Sequence, residues 1–310
     1  MASARPIAVD LSAVIVALDE SERDAQPLAL VTDQGRLPSV GYDPGRGRTL
    51  ALALRDSVRR TTGLSLGYIE QLYTFGDSAR APEDDPGAPH VVSIGYLALT
   101  RRGPEPPPGH QWVPWRQFFP WEDRRGPAPA LDEIESRLRV WTEGRGAAER
   151  ERARMLFGLD GAPWRDELTL ERYELLYAAE LVEEAWRDRG AAPPPDLPRL
   201  GLAGWRDNRR ILATGVSRLR GKLKYRPVLF ELMPDEFTLF ELQRAAEAVS
   251  GVPLHKQNFR RMVEKSGLLE PTGRTSSRLG GRPAALFRFV SDGRWERGLV
   301  PVRFGGARRG

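Results

Sequence analysis

The chain has 310 residues, 40% hydrophobic and 29% charged, with 47 Lys and Arg against 42 Asp and Glu for a net charge of +5. That length accommodates two domains with their own cores. The lack of cysteine excludes disulfide scaffolds, zinc ribbons, iron–sulfur centres and thiol nucleophiles. His90, His110 and His255 stand too far apart in sequence for a histidine metal site, so no metal centre is expected. No apolar run reaches the roughly 20 residues of a membrane helix, and no secretory signal is read. A cytoplasmic protein with no membrane partner is expected.

In chain order, 11–18 (LSAVIVAL) and 27–33 are β-rich apolar runs that read as strands. Residues 49–62 carry Leu50, Leu54, Val58 and Thr61 at helical spacing, and Gly63 follows where a left-handed turn ends a helix. Residues 68–75 and 91–99 alternate as strands around a polar, Pro/Gly-rich loop at 76–90. The first 115 residues thus predict a mixed α/β unit with one central helix. A stretch dense in Pro, Gly and Trp (103–130) leads into helical segments. The spacing of Leu168, Leu175, Ala179, Val182 and Trp186 predicts one helix over 167–189. A proline-rich linker (190–198) precedes a basic helix expected over 205–224.

Charge divides the chain. Up to position 198 there are 24 Lys and Arg against 32 Asp and Glu; beyond it there are 23 against 10. Such asymmetry suggests a polyanion-binding module on an acidic partner domain. Within the basic part, Thr238 and Glu241 form a capping-box signature opening a helix that Gly251 closes. A second helix is predicted over 255–266, with Phe259, Met262, Val263 and Ser266 facing the core. Lys256, Gln257, Asn258, Arg260 and Arg261 then point outward. Arg reads guanine, Asn and Gln read adenine, and the remaining cations hold phosphates. Strands at 268–272 and 284–289 bracket a loop carrying Arg274, Arg278 and Arg282, a basic wing suited to the DNA backbone or a minor groove. Helix, turn, helix and basic wing in that order predict a DNA-binding winged helix.

Residues 41–64 (GYDPGRGRTLALALRDSVRRTTGL) resemble a degenerate Nudix box. Aligned from Gly63 and Leu64, the motif's arginine falls on Asp56 and its first glutamate on Ser57. The adjacent glutamate pair falls on Arg60 and Thr61, and the upstream glutamate on Arg48. Nudix hydrolases gather those carboxylates on one helix face to hold Mg²⁺. Without them the box is expected to persist as a helix with no catalytic residues.

The runs 70–77 (EQLYTFGD), 91–99, 222–242, 256–261 (KQNFRR) and 281–289 are similar to the Nudix-related transcriptional regulators of NAD metabolism (NrtR/NadQ type). The long insertion at about 116–204 is most like the longer NadQ-like branch. The resemblance implies an α+β chain: a Nudix-like α/β/α sandwich with a helical insertion (1–226), a winged helix-turn-helix domain (227–296) and a basic tail (297–310). It implies a homodimeric repressor of NAD biosynthesis genes on double-stranded operator DNA. No cofactor is required, and an adenine nucleotide effector (NAD, ATP or ADP-ribose) is expected. Tyr73 and Phe75 are expected on one strand face to stack a base, with Arg55 and Arg80 to hold its phosphates and Asp77 also among the effector-site residues. The rival reading is an active Nudix hydrolase cleaving ADP-ribose or a related nucleoside diphosphate derivative, its carboxylates relocated to Glu83, Asp84 and Asp85.

Overall fold

The computed structural model describes residues 6–19, 25–45, 48–76, 89–103, 105–276 and 283–290. Asp77, Arg80, Glu83, Asp84, Asp85, Arg278, Arg282 and the basic tail lie outside the described residues. In the amino-terminal part, β1 (Ile7–Asp19), β2 (Gln26–Thr32) and β3 (Ser39–Gly41) precede α1 (Leu50–Thr62), followed by β4 (Ile69–Phe75), β5 (His90–Leu99) and β6 (His110–Pro114). They form one sheet in the order β4-β5-β1-β2-β6, with β3 also paired to β1. β1 and β5 run parallel from Ile7 opposite His90 to Val16 opposite Leu99.

The unbroken apolar run of β1 has a physical cause, because both faces of this strand are covered. Leu11, Ala13 and Ile15 face α1, meeting Leu54 and Val58. Val14, Val16 and Leu18 face the other way into a larger core. α6 (Asn208–Leu223) covers that second face after α2 (Pro129–Thr142), α3 (Ala147–Phe157), α4 (Thr169–Ala178) and α5 (Glu183–Arg187). Gly215 lets α6 lie close: a Cβ there would come within 2.7 Å of Val14. The result is the expected α/β/α sandwich with a helical region.

Two helices differ from the sequence expectation. The helix foreseen over 167–189 is broken into α4 and α5. The Leu181 amide bonds the Leu176 carbonyl and the Glu180 amide the Tyr177 carbonyl, with Glu180 left-handed at φ 60°. This is the six-to-one helix stop usually built on glycine, so its sequence signal was absent. The helix foreseen from Trp205 begins instead at Asn208, because Arg206 is left-handed (φ 48°) and leaves Trp205 in the preceding loop.

The carboxyl-terminal part comprises β7 (Phe237–Thr238), α7 (Leu239–Ser250), α8 (Lys256–Ser266), β8 (Leu269–Ser276) and β9 (Ala284–Phe289). Its sheet has the order β7-β9-β8. The capping box is present: Glu241 N–H donates to Thr238 Oγ1 (3.2 Å) and Thr238 N–H to Glu241 Oε2 (2.7 Å). Leu242, Ala246 and Val249 of α7 join the same core as Val14, Ile211 and Leu219. That core is continuous across the boundary expected at 226, so the winged helix is seated on the first domain.

Candidate DNA-reading face and effector cavity

α8 is anchored by Phe259 and Val263, and the turn before it is pinned by Glu247, which accepts from the Leu254 amide (2.8 Å). Gln243 donates to the Leu254 carbonyl (3.0 Å). Lys256, Gln257, Asn258, Arg260 and Arg261 are all exposed, as the sequence predicts. At 100° per residue, Gln257 and Arg261 lie directly opposite the buried stripe, and Arg260 and Asn258 flank them. Arg261 donates to Asn258 Oδ1 at 3.3 Å, which orders both side chains without burying either. Met262 and Ser266 are half-buried. Arg274, expected in the loop after a strand at 268–272, lies instead on the longer β8, where it is exposed and pairs with Glu236, and Arg288 of β9 pairs with Glu270 of β8.

Among the described residues, Arg55, Tyr73 and Phe75 do not come together at one face. Arg55 donates to the carbonyls of Leu66 and Gly67 (2.8 Å for the latter), fastening the loop after α1. Tyr73 is exposed, whereas Phe75 is buried against Gly95 in the core. A register shift between Gln71 and Thr74 breaks the two-residue alternation, so the two rings do not share a stacking face. On α1, Ser57 is buried, Arg60 and Thr61 are exposed, and Asp56 is the sole carboxylate. Among the described residues no group of three or more Asp, Glu or His is placed to hold a metal.

A cavity of about 510 Å³ opens instead between β1, β3, the turn after β2 and the start of α6, with Asp10, Asp33, Arg36, Ser39, Trp205 and Arg206 on its walls. Sequence reading missed it because it treated Trp205 as a helix residue. From its rim, Asn208 Oδ1 accepts the Leu37 amide at 3.0 Å.

α6 runs from that cavity to the winged helix. Twelve residues on, about 18 Å at 1.5 Å per residue, Arg220 is completely buried and donates to the α7 carbonyl of Val249 (2.9 Å). Arg220 also binds Glu122, which accepts from Arg172 through both oxygens (2.6 and 2.8 Å) and from the Thr169 hydroxyl (3.1 Å). This knot joins the short helix at Pro120–Glu122, α4, α6 and α7. Sequence reading placed no such charges inside, since charged residues are mostly exposed unless paired.

Desolvation pushes the Glu122 carboxyl up, but the two guanidinia together outweigh it and hold it below its ordinary 4.5. Nearby Glu167 is desolvated too, yet Lys224 draws it down to about 2. Burial pushes Asp166 the other way, which offsets part of the effect. Carboxyls lowered by folding stabilise fully above their unfolded value, and that stability is lost as pH falls through the folded one. The urea midpoint is therefore expected to hold near neutral pH and to fall between pH 4.5 and about 2. The fall should be shallower in Glu167→Gln. A midpoint unchanged across that window contradicts this account.

Taken together, these parts define a class: a Nudix-like α/β domain with a helical region, followed by a winged helix domain. Residues 229–289 match the family model described as the NrtR DNA-binding winged helix domain. The ADPR responsive transcriptional repressor NtrR of Acinetobacter baylyi is 41% identical over 84 residues. That stretch is 27% of this chain and 33% of the relative, so the match spans about a third of the relative's length. Among solved structures, Shewanella oneidensis NrtR complexed with a 27mer DNA aligns over 91% of this chain and 93% of its own, with TM-score 0.52 and 19% identity. A MutT/nudix family protein from Enterococcus faecalis aligns over 94% and 89%, with TM-score 0.50 and 14% identity. At those identities the likeness is one of fold. No helix among the described residues is long and apolar enough to cross a membrane.

Proposed function

We propose that the chain is an NrtR-type transcriptional repressor, its winged helix reading operator DNA under control of an adenine nucleotide held by a non-catalytic Nudix-like domain. The observation that carries this is the exposed Lys256, Gln257, Asn258, Arg260 and Arg261 array on a helix whose opposite face is anchored by Phe259 and Val263. The match of 229–289 to the NrtR winged helix supports it. The likeness to the ADPR responsive repressor of Acinetobacter baylyi favours ADP-ribose over NAD and ATP as effector. The long helical region supports the NadQ-like branch, cytoplasmic repressors of NAD synthesis acting as homodimers. Two copies on a two-fold axis match a palindromic site with half-sites about 10 base pairs or a multiple apart.

The testing experiment is a DNA-shift titration on DNA upstream of NAD-synthesis genes, with NAD, ATP and ADP-ribose added separately. A specific shift altered by one nucleotide is expected; equal affinity for scrambled DNA overturns the reading. With Mg²⁺ or Mn²⁺ the protein should leave ADP-ribose and NAD intact, since Ser57, Arg60 and Thr61 hold the glutamate positions. Turnover abolished by Asp56→Ala would favour the hydrolase instead.

Base readers and phosphate contacts separate by mutation. Arg260→Ala is expected to cost about 1–3 kcal/mol on the operator and relax preference at one base position. Arg278→Ala is expected to weaken operator and scrambled DNA alike and lower the salt slope by about one. Equal losses on both DNAs for Arg260→Ala remove it from base readout.

A further inference from the structure

The cavity beside α6 has the chemistry of a ligand site. Trp205 is 41% exposed, yet the loop that carries it is held rigidly. Buried Glu184 accepts the Gly204 amide (2.8 Å), and Arg187 donates to the carbonyls of Gly204 and Arg206 (2.6 Å each). A Cβ on Gly204 would meet the Arg209 backbone at 2.6 Å, so the loop has no slack. An exposed indole on so firm a mount is a recognition surface, because the ordering cost of a stacking partner is met by the fold. Its ring already carries flat cations: the Arg36 guanidinium lies 4.3 Å from the ring centroid and the Arg206 guanidinium 4.5 Å. Arg206 also holds a left-handed backbone at φ 48°, and such strain gathers at functional positions.

We propose that this cavity binds a nucleotide, its base stacked on Trp205, its phosphates held by Arg36 and Arg206, and its ribose hydroxyls facing Asp33 and Ser39. A volume of about 510 Å³ suits such a molecule. Arg36 is exposed, and exchanging its place over the indole for a phosphate gives it the stronger, charge-assisted partner. The vacated face then takes the base, whose stacking tolerates any aromatic ring. This inference rests on the proposed nucleotide control and moves its site from Tyr73 and Arg55 to the far face of the sheet. It also gives the helical region a role, since Glu184 and Arg187 belong to it. The signal has a path in α6, which starts at Asn208 in the cavity and holds Val249 through Arg220.

The test is calorimetric titration of the full-length protein with ADP, adenosine and inorganic pyrophosphate, in wild type and single variants. Trp205→Ala should weaken ADP at least tenfold and Arg36→Ala at least fivefold. Trp205→Phe should retain most of the affinity, and Tyr73→Ala should change it less than twofold. Adenosine and pyrophosphate should each bind more weakly than ADP. Unchanged ADP affinity in Trp205→Ala overturns the site, even where a nucleotide still alters the DNA shift and the effector reading stands. Failure of ADP to bind at millimolar concentration overturns it as well. ADP binding lost in Trp205→Ala but without effect on operator affinity upholds the site while removing the effector reading.

Discussion

Glu122→Gln is expected to lower the unfolding free energy by about 3–5 kcal/mol, as removal of one partner from a buried ion pair does. The loss arises from what remains. Arg172 and Arg220 are both completely buried, and neither has another carboxylate partner within this knot to replace Glu122. Their like charges would then face each other across the vacated position. Replacing all three charges together, as Glu122→Met, Arg172→Met and Arg220→Met, should recover much of the loss, because no uncompensated charge is left inside. Urea unfolding of the single and triple variants measures this. A single-variant loss below about 1 kcal/mol would show the cluster to be solvated like a surface pair.

The elements that the sequence made legible are those whose signals are local. The winged helix is the clearest case. Its capping box, the Gly251 stop, the second helix and the strand Ala284–Phe289 all occur where spacing placed them, because each depends on residues only a few positions apart. The outward set on α8 was legible for the same reason, since Phe259 and Val263 fix which side of the helix is buried. The break between α4 and α5 was not, because Glu180 adopts the left-handed conformation that a glycine would have announced.

The candidate effector site was illegible for a different reason. Tyr73 and Phe75 are two apart, and alternation alone puts them on one face; a bulge two residues upstream of Phe75 undoes this. Asn208 meets Leu37 across 171 positions, and Arg220 meets Glu122 across 98. Partnerships of that span come from packing α6 onto the sheet, and no periodicity encodes them. No local pattern marks Arg220, Arg172 and Arg209 for burial, yet the structure uses each to satisfy buried carboxylates and carbonyls.

Gly251→Ala is the second large effect, and Gly267→Ala is its internal control. Both glycines end helices of the helix-turn-helix in the left-handed region, at φ 72° and 65°. Adding a methyl group at either should cost about 1–2 kcal/mol in backbone strain. Their surroundings then separate them. A Cβ at Gly267 meets nothing within 4 Å, whereas one at Gly251 overlaps the Glu122 carbonyl oxygen and comes within 2.8 Å of Arg220. The Gly251 carbonyl also accepts the Arg124 amide at 2.7 Å, so the turn cannot retreat without losing that bond. Crowding a packed backbone adds about 1–3 kcal/mol. Gly251→Ala should therefore destabilise by roughly twice as much as Gly267→Ala. It should also weaken operator binding in protein that remains folded, because α7 must shift against the first domain to make room. Equal losses at the two positions would mean that the winged helix slides freely over Glu122. The buried knot would then be a local brace within the helical region, with no part in holding the winged helix to the Nudix-like domain.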